Sequence, residues 1–413
     1  MTRLFSFKYH SFDVPLDWEN TDSNETISIT LREILDVEGK DKPPILFLQG
    51  GPGFGSPLPT DDKWMIELQK RFRIFLLDSR GMGMSTPIDI PGLLEMDQNN
   101  RIKTVEYLTH FRADSIARDV EHIRLSLFND EDFYTFGQSF GGWCTLSYLS
   151  LFPNSPKACF LNGGYPPIGH EPLNVYRALV PQVDRSNQAF LDRYPETKEQ
   201  LEYLVHHLDD KTLFSLAQSG FWSGFSNHHK NLRVAIEGLY YDLLTIGRPS
   251  LRSRRMMYDP MGFASNPIYV FLHEAIYCEG TASNWAAETV MLKENGRPSL
   301  IDISKFFLGE NVLHNHFETI KELTPLTELM ETLMSYSDWG QLYDTKSLAR
   351  CEAPVIGLVM EMDTAVVTSY SRECASLLGN GHVIKSDLDH HAFYVEPKRV
   401  FTEMFAKLDE VTQ

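Results

Sequence analysis

The run Gly137-Gln138-Ser139-Phe140-Gly141 constrains this chain more than any other stretch. It has the small-x-Ser-x-small form of a nucleophile elbow, a sharp strand-to-helix turn that holds a serine in a strained conformation. Small residues are needed two before and two after the serine, because a side chain there would strike neighbouring backbone. The flanks fit. Residues 133–136 (FYTF) form an aromatic, strand-forming run, and residues 142–152 (GWCTLSYLSLF) read as a buried helix stopping before Pro153. Five-residue matches recur by chance; the strand and helix on either side are what make Ser139 a candidate nucleophile.

Other apolar runs extend the same pattern. Residues 44–48 lead into a glycine loop, 72–77 into Asp78, and 158–162 into Gly163-Gly164. Helical spacing lies between them, most plainly in 113–128. Strand–helix alternation with functional loops at strand ends predicts an α/β fold with a doubly wound, mostly parallel sheet. From Gly169 to Tyr343 the character changes to helical periodicity, rich in aromatics and histidines. The sheet pattern returns at 353–360 and 381–384, and a terminal helix is expected over about 397–408. The expected organisation is an α/β-hydrolase core in two parts, 1–168 and 344–413, interrupted by a helical cap over 169–343.

A serine hydroxyl is a weak nucleophile at neutral pH and needs a base that a third group orients. In an α/β-hydrolase the chain order is Ser, then Asp or Glu, then His, with acid and base on loops after late strands. Asp363 follows the expected strand 353–360, with Glu361 as the alternative acid. His390 and His391 both lie where the base belongs, and His390 is preferred. Asp387 and Asp389 are too close in sequence to the base to be the first choice of acid. The glycine loop Gln49-Gly50-Gly51-Pro52-Gly53 can supply one backbone N–H of an oxyanion hole, at Gly51, and Phe140 the other. Neither G-x-x-x-x-G-K-[ST] nor G-x-G-x-x-G is present there, so phosphate binding is not expected. The second glycine turn, 78–85 (DSRGMGMS), is expected to brace loops through Asp78 and Arg80.

Composition narrows the partners. A formal net charge of −18 over 413 residues, with no basic stripe, argues against nucleic-acid binding. The N-terminal stretch 1–18 has no continuous apolar segment, and no run reaches membrane-spanning length, so neither signal peptide nor anchor is expected. Five scattered cysteines without C-x-x-C spacing suggest reduced, buried thiols in a cytoplasmic protein, with no zinc site.

Five strings carry a family resemblance: FLQGGPGFGSP (47–57), DSRGMGMSTP (78–87), FRADSIARDVEHIR (111–124), YTFGQSFGGWC (134–144) and FLHEAIYCEG (271–280). Together they resemble the prolyl aminopeptidases, or proline iminopeptidases, in their longer form, which are α/β-hydrolases of serine peptidase family S33. The resemblance implies removal of an N-terminal proline by a Ser-Asp-His triad, with no metal or cofactor. It implies Ser139 as nucleophile, Asp363 as acid, His390 as base, and Gly51 and Phe140 as oxyanion donors. An acidic residue precedes the family's histidine, as Asp389 does here, while Gln49 stands where shorter members have His. The family holds the substrate's free α-ammonium with cap glutamates, for which Glu274 and then Glu310 are the candidates. Phe140, Tyr277 and Trp285 are the expected liners of the pocket for the proline ring.

The implied partners are peptides with a free N-terminal proline; the oligomeric state stays open. An esterase or amide hydrolase of the same fold, acting on an uncharged small molecule, is the alternative, since this fold hosts many chemistries. A non-catalytic binding protein that kept the fold is a third reading.

Overall fold

The computed structural model describes residues 5–35, 39, 41–58, 63–129, 131–219, 226–258 and 262–412. The first four residues of the N-terminal stretch considered above lie outside this set. Eight strands form one sheet: β1 (Ser6–Pro15), β2 (Thr26–Leu35), β3 (Pro44–Leu48), β4 (Arg73–Asp78), β5 (Tyr134–Gln138), β6 (Ala158–Asn162), β7 (Val355–Met360) and β8 (Gly381–Ser386). Their order across the sheet is β1-β2-β4-β3-β5-β6-β7-β8. The β1–β2 and β2–β4 pairs are antiparallel, and every other pair is parallel.

Six strands lie within a residue or two of the apolar runs; β3 to β7 are buried at all or all but one residue, and strands buried on both faces read as near-continuous apolar sequence, while the edge strand β8 is mostly half-buried. In β3 and β7 every residue is buried. Ile45 and Phe47 face one core cluster, with Trp64, Phe393 and Phe401; Leu46 and Leu48 face the other, with Ile116, Val120 and Tyr148.

The N-terminal hairpin β1–β2 was not expected from the sequence. Its apolar residues change face partway along: Phe7 and Ile34 pack on one side of the sheet, Phe12, Ile29 and Leu31 on the other. Residues 26–31 of β2 do alternate, with Ile27, Ile29 and Leu31 buried, and the alternation breaks only where Ile34 turns to the other face.

Helices cover both faces. Phe140–Leu151 and Ala113–Ile123 lie on one side; Lys63–Leu68 and the terminal Pro397–Val411 lie on the other. The helical run expected over 113–128 closes with a wider π-type turn over Arg124–Phe128. Between β6 and β7 the described residues form helices and turns, beginning with the 22-residue helix Pro172–Arg193, and contribute no strand to the sheet. No helix among the described residues is long and apolar enough to cross a membrane.

Because β3, β5, β6, β7 and β8 run parallel, their carboxyl ends share one edge of the sheet. Ligands of open α/β sheets bind outside that edge. Gly50-Gly51, Ser139, Asp363 and His390 all sit on loops that leave it.

Candidate active site

Ser139 occupies the turn between β5 and Phe140–Leu151, with φ of 50° and ψ of −123°. A non-glycine residue in that region carries roughly 1–3 kcal/mol of strain, held in place by its surroundings. Those surroundings are tight. A Cβ at Gly141 would run into the Leu48 carbonyl, which explains the small residue two after the serine. The Ser139 amide donates to the Asn162 carbonyl at 3.0 Å, and its carbonyl accepts from Gly142 at 2.8 Å.

The glycine loop after β3 lies against the elbow: a Cβ at Gly50 would stand 3.0 Å from Ser139 Cβ. Phe140 is the first residue of its helix, so its N–H has no acceptor within the helix. The glycine loop and the first residue of the elbow helix thus both border Ser139.

Asp363 and His390 meet across the ends of β7 and β8. His390 Nδ1 lies 2.8 Å from Asp363 Oδ2, and both side chains are almost fully buried, 3 % and 2 % exposed. The other carboxylate oxygen, Oδ1, accepts the amides of Ala365 (2.8 Å) and Val366 (3.0 Å), which fixes the carboxylate's rotation. Asn162, whose carbonyl holds the Ser139 amide, also donates its side chain to the His390 carbonyl at 2.9 Å. One residue at the end of β6 therefore anchors both loops. Space for the pair comes from Gly163, where a Cβ would stand 2.8 Å from His390 Nδ1.

The remaining acid and base candidates are placed elsewhere. Glu361 pairs with Arg372 and Asp387 with Arg399, both at the surface. Asp389 accepts the His391 amide, and the His391 ring sits against Tyr394. Burial by itself would lower the His390 imidazole, but the Asp363 charge and hydrogen bond, with help from Glu310, raise it above the usual histidine value.

The wall facing this edge comes from the inserted helical segment. Phe140 neighbours Trp143, whose ring centroid is 5.2 Å from that of Tyr277; Tyr277 in turn stands 5.6 Å from Tyr176. The Tyr176 hydroxyl is 3.2 Å from His273 Nδ1, and His273 Nε2 is 3.6 Å from Glu310 Oε1. The Tyr269 hydroxyl donates to the same Oε1 at 2.6 Å, and the Tyr269 ring rests on Phe54 of the glycine loop. These contacts run from the elbow helix round to the glycine loop.

The two glutamates in this wall differ in environment. Glu274 is completely buried and accepts the backbone amides of Ala286 (3.0 Å) and Ala287 (2.9 Å). Burial outweighs those bonds and pushes its carboxyl up to about 7. Glu310 keeps 18 % of its side chain exposed. Burial would raise it too, but His273, the Tyr269 hydroxyl and the His390 charge outweigh burial and hold it below the usual glutamate range. Trp285 is placed away from Phe140 and Tyr277: its ring packs on His314 and Phe317, and its indole N–H donates to Glu331.

Asp78 and Arg80 are buried struts. Asp78 accepts the amides of Ser56 and Met84, tying the two glycine loops together. Arg80 grips Asp119 with two hydrogen bonds, 2.8 and 2.6 Å, and the carbonyls of Pro15, Leu16 and His110. Among the described residues no group of three or more His, Cys, Asp or Glu side chains is arranged to hold a metal ion.

Tyr176, Gln182, Tyr269 and His273 were missed in the sequence. Only His273 carried a local signal, as the neighbour of Glu274. Tyr176 and Gln182 sit in an ordinary amphipathic helix, where nothing local distinguishes them.

The parallel sheet, the serine elbow and the late acid and histidine loops define a hydrolase of the α/β class; the sequence profile for the alpha/beta hydrolase fold matches residues 43–209. The chain belongs to the proline iminopeptidase family. It is 38 % identical over 412 residues to the proline iminopeptidase of Aeromonas sobria, covering 96 % of this chain and 95 % of that one. It is 32 % identical over 419 residues to a proline iminopeptidase of Aspergillus aculeatus, covering 96 % and 92 %. Among solved structures it is similar to the proline iminopeptidase of Mycobacterium smegmatis, with a TM-score of 0.46 and 13 % identity over 97 % of this chain and 98 % of that one.

Proposed function

We propose that this protein is a serine aminopeptidase that releases N-terminal proline from peptides through an acyl-enzyme on Ser139. With Nδ1 held by Asp363, the His390 imidazole keeps the lone pair on Nε2 and takes the Ser139 proton as Oγ attacks the prolyl carbonyl. The amides of Gly51 and Phe140 receive the developing oxyanion, a contribution typically worth ~2.7–4 kcal/mol per donor. Collapse breaks the peptide C–N bond, and the departing amine takes the proton from His390. Water then attacks the prolyl ester, gives its proton to His390, and the proton returns to Ser139 Oγ as free proline leaves.

Selection falls to residues 169–343, read here as a cap over the core. Glu310, with Glu274 behind it, receives the substrate ammonium, and Phe140 and Tyr277 receive the pyrrolidine ring. The observation that carries the reading is the Glu310 carboxylate, partly exposed in the wall of a serine site and held below the usual glutamate range. A hydrolase of neutral esters has no use for negative charge there, whereas a charge-assisted hydrogen bond in a water-poor pocket favours a cation strongly. Five free, buried cysteines support a reducing, cytoplasmic setting.

The test is hydrolysis of an unblocked prolyl arylamide beside its N-acetylated form, an alanyl arylamide and a short-chain p-nitrophenyl ester, with Ser139→Ala as control. Turnover of the free-amine prolyl substrate alone, lost in Ser139→Ala, is the expected result. Ester cleavage without prolyl cleavage would overturn the peptidase reading.

A further inference from the structure

One side chain of the inserted segment reaches into the loop that carries the acid. Gln182, on the third turn of Pro172–Arg193 and only 6 % exposed, donates its Nε2 to the carbonyl of Asp363 and, at 3.0 Å, to that of Val366. Its Oε1 accepts the Thr368 amide at 3.0 Å. All three bonds of this amide therefore go to backbone groups of residues 363–368. The segment has no regular structure of its own between β7 and the helix Thr368–Leu377.

The neighbours of Gln182 face the other way, toward the amine-binding wall. Gly309, next to Glu310, packs so closely on Val183 that a Cβ there would stand 2.8 Å from Val183 Cγ2. Asn187 donates to the carbonyls of Ser304 (3.2 Å) and Phe307 (3.1 Å), and Tyr176 supports His273. A single helix thus touches both the Glu310 segment and the Asp363 loop.

We infer that Gln182 is a positioning residue, which locks the Asp363 loop to the cap helix so that the acid–base pair is aligned only when that helix is seated. The inference rests on Asp363 being the acid of the proposed mechanism. Backbone groups buried at the base of a loop need partners. Asp363 itself holds the Ala365 and Val366 amides, but the Asp363 and Val366 carbonyls and the Thr368 amide take their partner from residue 182, so that part of the loop's shape depends on the helix. Reacting groups misplaced by about 1 Å lose on the order of 100-fold in rate.

The experiment separates alignment of the triad from binding of the peptide. A fluorophosphonate reacts with Ser139 through the triad and oxyanion hole without using the amine pocket. In Gln182→Leu, both its rate and kcat for the unblocked prolyl arylamide should fall by a similar factor, on the order of 10–100-fold, with KM changed less than about twofold. The acid limb of kcat/KM should also move to lower pH, because an Asp363 that drifts from His390 raises the imidazole less. Gln182→Glu keeps the size of the side chain and the acceptor for Thr368, but turns oxygen toward two carbonyls; the same losses are expected there, should the leucine variant not fold. An unchanged fluorophosphonate rate in either folded variant overturns the inference. Asp363→Asn is the control: if it leaves the fluorophosphonate rate intact, the reading of Asp363 has failed instead.

Discussion

Replacing Glu310 by Gln tests the amine-recognition step most directly. The substitution removes one negative charge and keeps the side chain's shape and an oxygen for the Tyr269 hydroxyl, which now stands 2.6 Å from Oε1. Two unit charges about 4 Å apart attract by ~4 kcal/mol at the effective dielectric of a protein site near ε of 20. His273, 3.6 Å from the same oxygen, already shares that charge, and part of the side chain meets solvent. The net value falls toward that of a single charge-assisted hydrogen bond, ~1.5–3 kcal/mol, or roughly a 10- to 150-fold loss in kcat/KM. The ammonium is held alike in ground and transition states, so the loss should appear mainly in KM. The assay is steady-state hydrolysis of an unblocked prolyl arylamide by Glu310→Gln and the parent enzyme. A change below about twofold in kcat/KM refutes the assignment of the ammonium to Glu310. So does a loss confined to kcat, which would place Glu310 on the chemistry through its charge at His390.

Glu274 gives a stability prediction with a definite sign. Its carboxyl titrates near 7 in the folded chain against 4.5 for an unburied glutamate, so the fold binds that proton better than the unfolded chain does. Its contribution is fully present below about pH 4.5 and is lost as pH rises through about 7, an order of ~3 kcal/mol in all. Denaturant midpoints across that window should lose this slope in Glu274→Gln; a slope equal to the parent's sinks the idea. Arg80→Met leaves the buried Asp119 carboxylate without its counter-charge, though still bonded to the Trp18 indole N–H at 2.9 Å, and leaves three carbonyls without their donor; it should cost ~3–5 kcal/mol in the same denaturation measurement. A loss below about 1 kcal/mol, the usual value of a surface pair, would show that Asp119 finds other partners.

Much of the architecture was written locally. Strands buried on both faces announce themselves as apolar runs, and the small residues of the elbow are demanded by contacts a few residues away. That is why β3 to β7, Ser139 and the glycine loop after β3 were legible from composition and spacing alone. The hairpin β1–β2 was passed over: Ile27, Ile29 and Leu31 alternate along β2, but the alternation is short and β1 is mostly exposed or half-buried, so no apolar run marks it.

The sequence by itself determined the kind of chemistry offered: a serine on a strained turn, with acids and histidines on late loops and glutamates in a helical insertion. Tertiary structure alone decided which of these groups meet. His390 and His391 are adjacent and chemically identical in the chain, and only the fold turns one ring onto Asp363 and the other onto Tyr394. Glu361 and Asp363 stand two residues apart, yet one pairs with Arg372 at the surface while the other is buried beside the imidazole. Gln182 reaches the Asp363 loop across 181 positions of sequence. Spacing encodes which face of an element a side chain occupies, but contacts between distant loops depend on how whole elements pack. No short-range period records that.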